Sequence, residues 1–244
     1  MPFIQIRDLD KLYYEQAGEG PDVLVISGTG SDLRRHPNPT DSPLTKRYRV
    51  TTYDQRGLGQ TSKPQDGYTM ANYADDAAAV IDALGIGPCP AVGISFGGMV
   101  LQNLLARNPG KISRAALWCT SPGGAGGASY PLHELPADLD QETRFRTMTK
   151  LSDNRVTDAW FDDHPDKADV LRKRADKSEF YGEPNYEYGA RMQVEARRGH
   201  DCWDALADIG IPVQCAGRPL RPDRDRRDDA EDGGATAGRA SGDV

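Results

Sequence analysis

Little in this 244-residue sequence speaks for a metal, a membrane or a nucleic acid. The four cysteines, Cys89, Cys119, Cys202 and Cys215, stand at irregular spacings without a C-x-x-C pair, so neither a zinc site nor a disulfide scaffold is expected. His200-Asp201-Cys202 has no second cluster at ligand spacing, and no metal or other cofactor is expected. No apolar run approaches the ~20 residues needed to cross a bilayer; Val23 to Ile26 is typical of a buried core stretch. The first residues hold no basic-then-apolar leader, so the expected location is cytoplasmic. Basic excess is missing too: 30 Lys+Arg face 37 Asp+Glu, a net charge of −7, which argues against nucleic acids and anionic membranes as partners.

The far end lacks a core. Residues 218–244 carry six arginines and seven acidic residues, no aromatics, and only Leu220 and Val244 as large aliphatics. Such a stretch buries too little apolar surface to offset its ordering entropy, so a disordered tail is expected there.

The remainder alternates strand and helix. Phe3 to Ile6 and Leu12 to Glu15 read as a hairpin joined through Asp8-Leu9-Asp10. Val23 to Ile26 and Arg49 to Tyr53 are compact runs suited to buried parallel strands. Between Thr69, a candidate N-cap, and Gly85, a stop, Tyr73, Ala77, Val80, Ile81 and Leu84 recur at helical steps. Ala91 to Ile94, Gly97 to Asn108 and Ile112 to Cys119 continue as strand, helix and strand. The order predicts an α/β fold, a mostly parallel sheet with helices on both faces. Residues 1–122 are its core. After Gly123-Gly124-Ala125-Gly126-Gly127 a charged, helix-leaning segment reaches residue 200 and is read as a helical cap insert. Residues 201–217 return to the core, with Ile211 to Ala216 as the last recognisable strand.

The chemistry lies at a strand-to-helix corner. Gly93-Ile94-Ser95-Phe96-Gly97 fits G-x-S-x-G; a serine on so sharp a turn needs small neighbours, and it projects its hydroxyl at the C-terminal edge of the sheet. Ser95 is the candidate nucleophile, facing a pocket beneath the insert. An attacked acyl carbonyl needs donors for its developing oxyanion. The Phe96 N–H, at a helix N-terminus, is one; the loop Gly28-Thr29-Gly30 offers the Thr29 N–H as the second.

Three segments, Val23-to-Gly30, Tyr53-Asp54-Gln55-Arg56-Gly57-Leu58-Gly59-Gln60-Thr61-Ser62 and Gly93-to-Gly98, resemble in order and separation the α/β-hydrolase fold family, in particular its esterase, enol-lactonase and cofactor-free haloperoxidase-like branch. The resemblance covers about residues 1 to 217. It implies a serine hydrolase acting on a small-molecule ester or lactone through an acyl-enzyme, and a structural role for Asp54 and Arg56 in pinning the loop beside the site. Ser27 stands where many members have histidine. A phosphate-loop reading of Gly57 and Gly59 fails because no Gly-Lys-Ser/Thr follows.

The family places a triad acid just past the strand at Ile211–Ala216, in a Gly-Arg-Tyr-Asp-like stretch, with the histidine some way beyond. Here the chain reads Gly217-Arg218-Pro219-Leu220, and no histidine follows His200. Codon degeneracy lets Arg-Pro-Leu-Arg-Pro-Asp be written so that a one-nucleotide shift reads Gly-Arg-Tyr-Asp-Arg-Ile. The expectation is therefore an incomplete C-terminal part, through a frameshift or truncation, against the alternative of a natural disordered tail. Asp223 and Asp225 are substitute acids. His36, His133, His164 and His200 read as surface or packing residues rather than the base. The insert's cations, Arg172, Lys173, Arg174, Arg191, Arg197 and Arg198, are either a solvated face or a guide for a carboxylated substrate. A non-catalytic remnant or binding module is the alternative to an enzyme.

Overall fold

The computed structural model describes residues 2–136, 138–176 and 178–217. The expected disordered tail, the incomplete C-terminal part, and Asp223 and Asp225 lie outside the described residues.

Strand β1 (Phe3–Ile6) pairs antiparallel with β2 (Leu9–Ala17). The turn is shorter than Asp8-Leu9-Asp10: only Arg7 and Asp8 form it, with Arg7 at φ 45°. Leu9 is fully buried, and that burial draws it into β2 instead of leaving it at a solvated tip. Strand β2 pairs antiparallel with β4 (Arg49–Tyr53). From there β3 (Asp22–Ile26), β5 (Cys89–Ile94), β6 (Ile112–Trp118) and β7 (Val213–Ala216) run parallel, giving the order β1-β2-β4-β3-β5-β6-β7.

Both faces of the central strands are apolar, as parallel strands require. On one face Leu24 and Ile26 join Tyr73, Val80, Phe96 and Leu104 in the main core; on the other Val23 and Val25 pack with Val50 and Val92. Helix α1 (Met70–Leu84) is started by Thr69, whose hydroxyl accepts the Asn72 N–H at 3.1 Å, and stopped by Gly85 at φ 62°. Helix α2 (Phe96–Arg107) packs beside it on the main-core face, where Tyr73 and Phe96 meet edge to face at 5.0 Å. The opposite face carries 3₁₀ turns at Pro39–Asp41 and Pro43–Lys46, with Leu44 and Tyr48 against the valines. Among the described residues β7 is an edge strand, and all four of its residues are exposed.

Between Gly123 and Asp201, which form an isolated antiparallel bridge, the regular elements are helical. These are α3 (Gln141–Ser152), α4 (Asp158–Asp163), α5 (Pro165–Ala175) and α6 (Tyr186–Ala196). Asp140 and Thr157 cap α3 and α4, and Pro165 opens α5. Phe145, Val156, Phe161 and Ala168 give the segment a small core of its own. It docks through α6: a Cβ on Gly189 would lie 2.8 Å from the Gly57 carbonyl carbon, and the Tyr188 ring meets Tyr68 at 6.1 Å.

One buried cation ties three segments together. Arg56, with no exposed surface, gives Nη1 and Nη2 to Asp8 at 2.7 Å each, Nε to Asp76 at 2.8 Å and Nη2 to Asp76 at 2.9 Å. Asp8 belongs to the β1–β2 turn and Asp76 to α1. The Arg56 guanidinium holds the Asp8 carboxyl down at about 2. Removing Arg56 leaves the buried Asp76 carboxylate with only the partly exposed Arg7, 2.8 Å away, as a cation partner; breaking a buried pair costs about 3–5 kcal/mol. Arg56→Ala is therefore expected to lose about that much stability in urea unfolding. Asp8→Ala, whose carboxylate is 54% exposed, should lose clearly less. Equal losses would contradict the hub.

Candidate active site

The site is built on a corner too tight for ordinary residues. Strand β5 ends at Ile94, α2 begins at Phe96, and Ser95 between them is held at φ 54°, ψ −116°. A non-glycine residue there stores backbone strain, which surrounding contacts must over-determine. The Ser95 N–H donates to the Trp118 carbonyl at 2.8 Å, and its own carbonyl accepts from Gly98 and Met99. Crowding explains the glycines. A Cβ at Gly97 would lie 2.6 Å from the Ser27 carbonyl oxygen, one at Gly93 2.6 Å from the Gly97 oxygen, and one at Gly98 2.6 Å from the Thr120 side chain.

The loop after β3 closes on this corner. A Cβ on Gly28 would sit 3.4 Å from Ser95 Cβ, so Ser95 is neither within a helix nor remote from Gly28–Gly30. Gln55, buried, donates Nε2 to the Ser27 carbonyl at 2.8 Å. Gln193 of α6, also buried, accepts the Gly30 N–H on Oε1 at 2.7 Å. Among the described residues no acceptor takes the N–H of Thr29 or of Phe96. These are the two amides of the expected oxyanion site, and the Phe96 N–H has the helix dipole behind it.

Asp54 organises the far side. It accepts the Leu33 and Gln60 N–H groups at 2.8 Å each, joining the Gly28–Gly30 loop's continuation to the Asp54–Ser62 turn. Burial pushes its carboxyl up to about 7 despite those donors.

A cavity of about 590 Å³ opens next to the corner, with Gly28, Gly30, Ile94 and Trp118 in its wall and Arg174 reaching it from α5. Its wall includes the neighbours of Ser95 but not Ser95 itself.

None of the four histidines hydrogen-bonds Ser95 among the described residues. His36 lies on the cavity wall, largely exposed, with Nδ1 2.7 Å from Asp41, whose carboxylate raises its pKa. His133 is 3.7 Å from Glu134. His164 stacks on Trp160 at 5.0 Å. His200 has Nδ1 3.4 Å from the Asn103 amide; Asn103 is eight residues past Ser95, about 12 Å along α2. Burial lowers the His200 pKa. Among the described residues no group of three His, Cys, Asp or Glu side chains is placed to hold a metal, and no helix is long and apolar enough to cross a membrane.

The charged residues of the helical segment divide. Arg172 pairs with Glu142 and Asp169, Arg198 with Glu195, and Arg191 lies over the Tyr188 ring at 5.6 Å. Lys173 and Arg174 are exposed. Arg197 alone of the six is buried. Sequence reasoning assigned no role to Gln55 or Gln193. A signal for the second was present: Tyr186, Gly189, Gln193 and Arg197 follow one another at helical steps.

A family model described as the alpha/beta hydrolase fold matches residues 23–175. The chain is 35% identical over 119 residues to a 2-hydroxymuconate semialdehyde hydrolase of Pseudomonas putida, covering 47% of this chain and 40% of that protein. It is 30% identical over 118 residues to a non-heme haloperoxidase of Rhodococcus erythropolis, covering 48% and 43%. The matched stretch thus spans less than half the length of these relatives. Among solved structures, the enol-lactonase from Burkholderia xenovorans LB400 superposes with a TM-score of 0.62 at 25% identity, over 88% of this chain and 80% of that one.

Two outcomes test the geometry. Gly97→Ala is expected to destabilise the fold by about 1–3 kcal/mol or more through overpacking, whereas Gly210→Ala, with open space around it, should stay within about 0.5 kcal/mol; calorimetry compares them. Asp54 binds its proton more tightly folded than unfolded, so between about pH 4 and 7 the folded state holds the extra proton. Its contribution to stability is full below the unfolded pKa and is lost as pH rises through about 7. Asp54→Asn should flatten that fall in urea titrations; an unchanged slope would contradict the raised pKa.

Proposed function

Because the chain belongs to the alpha/beta hydrolase fold family, we propose that it is a serine hydrolase in which Ser95 attacks the ester or lactone carbonyl of a small molecule. The observation that carries this reading is the corner itself: a serine at φ 54° with the unengaged amides of Thr29 and Phe96 beside it. In the reaction the Ser95 oxygen bonds to the carbonyl carbon and its proton leaves to a base. The carbonyl oxygen takes up negative charge between the two amides, the alcohol departs, and water then releases the acyl group. A haloperoxidase-like or carbon–carbon hydrolase reaction would use the same serine and the same amides.

The proton's destination separates this reading from a second, a binding module of the same fold that retains the pocket without turnover. The second is favoured by one observation: no histidine contacts Ser95 among the described residues. A neutral serine hydroxyl is a poor nucleophile without a base. In a serine protease triad, losing the histidine costs about 2 × 10⁶ in kcat, roughly 8.6 kcal/mol, while oxyanion donors and binding retain roughly 10³–10⁴ over water.

The full chain is therefore expected to hydrolyse p-nitrophenyl acetate several decades more slowly than an ordinary esterase, and Ser95→Ala should remove what rate there is. A residual rate untouched by Ser95→Ala would sink Ser95 as nucleophile. Ordinary esterase rates abolished by Ser95→Ala would establish an effective base elsewhere in the chain.

A further inference from the structure

Strand β7 leaves one line of backbone groups without a neighbouring strand. On its inner side the Ala115 N–H reaches the Pro212 carbonyl at 3.0 Å and the Cys119 N–H reaches the Ala216 carbonyl at 2.8 Å. Successive residues of a strand turn their N–H and C=O groups to opposite sides, so Pro212, Gln214 and Ala216 face β6 whereas Val213 and Cys215 face outward. Among the described residues no backbone bond outside the β6 pairing reaches either of them. All four residues of the strand are exposed, Val213 by 40%.

Nothing in the strand guards this edge. Val213-Gln214-Cys215-Ala216 holds no charge, no proline and, in its register with β6, no bulge, the devices by which edge strands avoid pairing with other chains. The sheet's other edge differs: β1 lies between Pro2 and Arg7, and the Lys11 ammonium covers the Phe3 ring at 4.2 Å. The unguarded strand is also complementary to itself. Laid antiparallel on a second β7 about a two-fold axis through Gln214, Val213 meets the partner's Cys215 and Cys215 meets the partner's Val213, so every outward N–H and C=O of both strands is satisfied at once. Facing residues must share a side of the sheet, and these do: Val213 and Cys215 register with the main-core residues Ala115 and Leu117, and Gln214 with Ala116 on the other face.

We propose that this chain forms a two-fold dimer through β7, which joins two seven-stranded sheets into one. The occupant of the edge is a second copy because one patch then serves both partners and the contact closes on itself. The partner's strands run in the opposite direction, so its Ser95 corner opens at the far end of the joined sheet and neither corner is covered.

Disulfide trapping reads the register. In the full chain carrying Cys119→Ser and Cys215→Ser, Gln214→Cys places two thiols across the axis, where opposed residues that exchange no hydrogen bonds have Cα atoms about 4.5 Å apart, within the span of a disulfide. Ala216→Cys in the same background puts its thiols about 13 Å apart along the strand. Under mild oxidation the first chain is expected to cross-link into dimers at least tenfold faster than the second. Sedimentation velocity on the unaltered chain should show a dimer that dissociates on dilution. Cys215→Pro removes an outward N–H and leaves the β6 ladder intact, so it should weaken the dimer about tenfold or more with the circular dichroism spectrum unchanged. Val213→Lys, at a side chain already in water, carries the test if the proline variant does not fold. A monomer at every concentration, as another segment of the chain seated on this edge would give, overturns the proposal. Equal trapping at 214 and 216, open fibres in place of a closed dimer, or a dimer indifferent to both variants does so as well.

Discussion

The first turn of α2 starts so close to the end of β3 that no side chain fits between them. Gly97 lies over the carbonyls of Ile26 and Ser27, and the rest of the site follows from that approach. A helix beginning there leaves β5 one residue in which to reverse direction, and that residue, Ser95, takes up the strain at φ 54°. The same approach sets the free N–H groups at the head of α2 beside the loop that follows β3. The serine, the Phe96 amide and the Gly28–Gly30 loop are thus one packing solution rather than three separate placements.

Around this corner the chain spends buried polar groups on holding loops. Arg56 links the first hairpin to α1, Asp54 links the Asp54–Ser62 turn to Leu33, and Gln55 holds Ser27. Three successive residues after β4 thereby anchor three different parts of the structure. Except at the half-exposed Asp8 carboxylate, these bonds are buried, where losing one partner leaves the other unsatisfied. The helical segment adds a fourth anchor through Gln193, so the loop bearing Thr29 is held from the core by Gln55 and from α6 by Gln193. A change in how α6 sits on Gly57 would reach the Thr29 amide through one hydrogen bond.

The parts legible in the sequence were those with local causes. Thr69 and Gly85 bound α1 because a capping hydroxyl and a positive-φ stop act within a few residues. The corner was legible because crowding there allows only glycine at three nearby positions. The β1–β2 turn departs from the sequence expectation because a tertiary contact decides it: Leu9 is drawn in by the core. Gln55, Gln193 and Arg197 have partners or surroundings distant in sequence, and nothing local distinguishes a glutamine that anchors a loop from one in water. The cations of the helical segment show the same limit: Arg197 and Arg198 are adjacent in sequence, yet one is buried and the other is paired with Glu195 at the surface.

The central claim is that an oxyanion formed at Ser95 lies between the Thr29 and Phe96 amides. A crystal structure of the full chain after long incubation with excess diisopropyl fluorophosphate tests it most directly. The account predicts phosphorus bonded to Ser95 Oγ, with its phosphoryl oxygen about 2.7–3.1 Å from both amide nitrogens. Phosphorus on another residue, or a phosphoryl oxygen turned away from both amides, would contradict it.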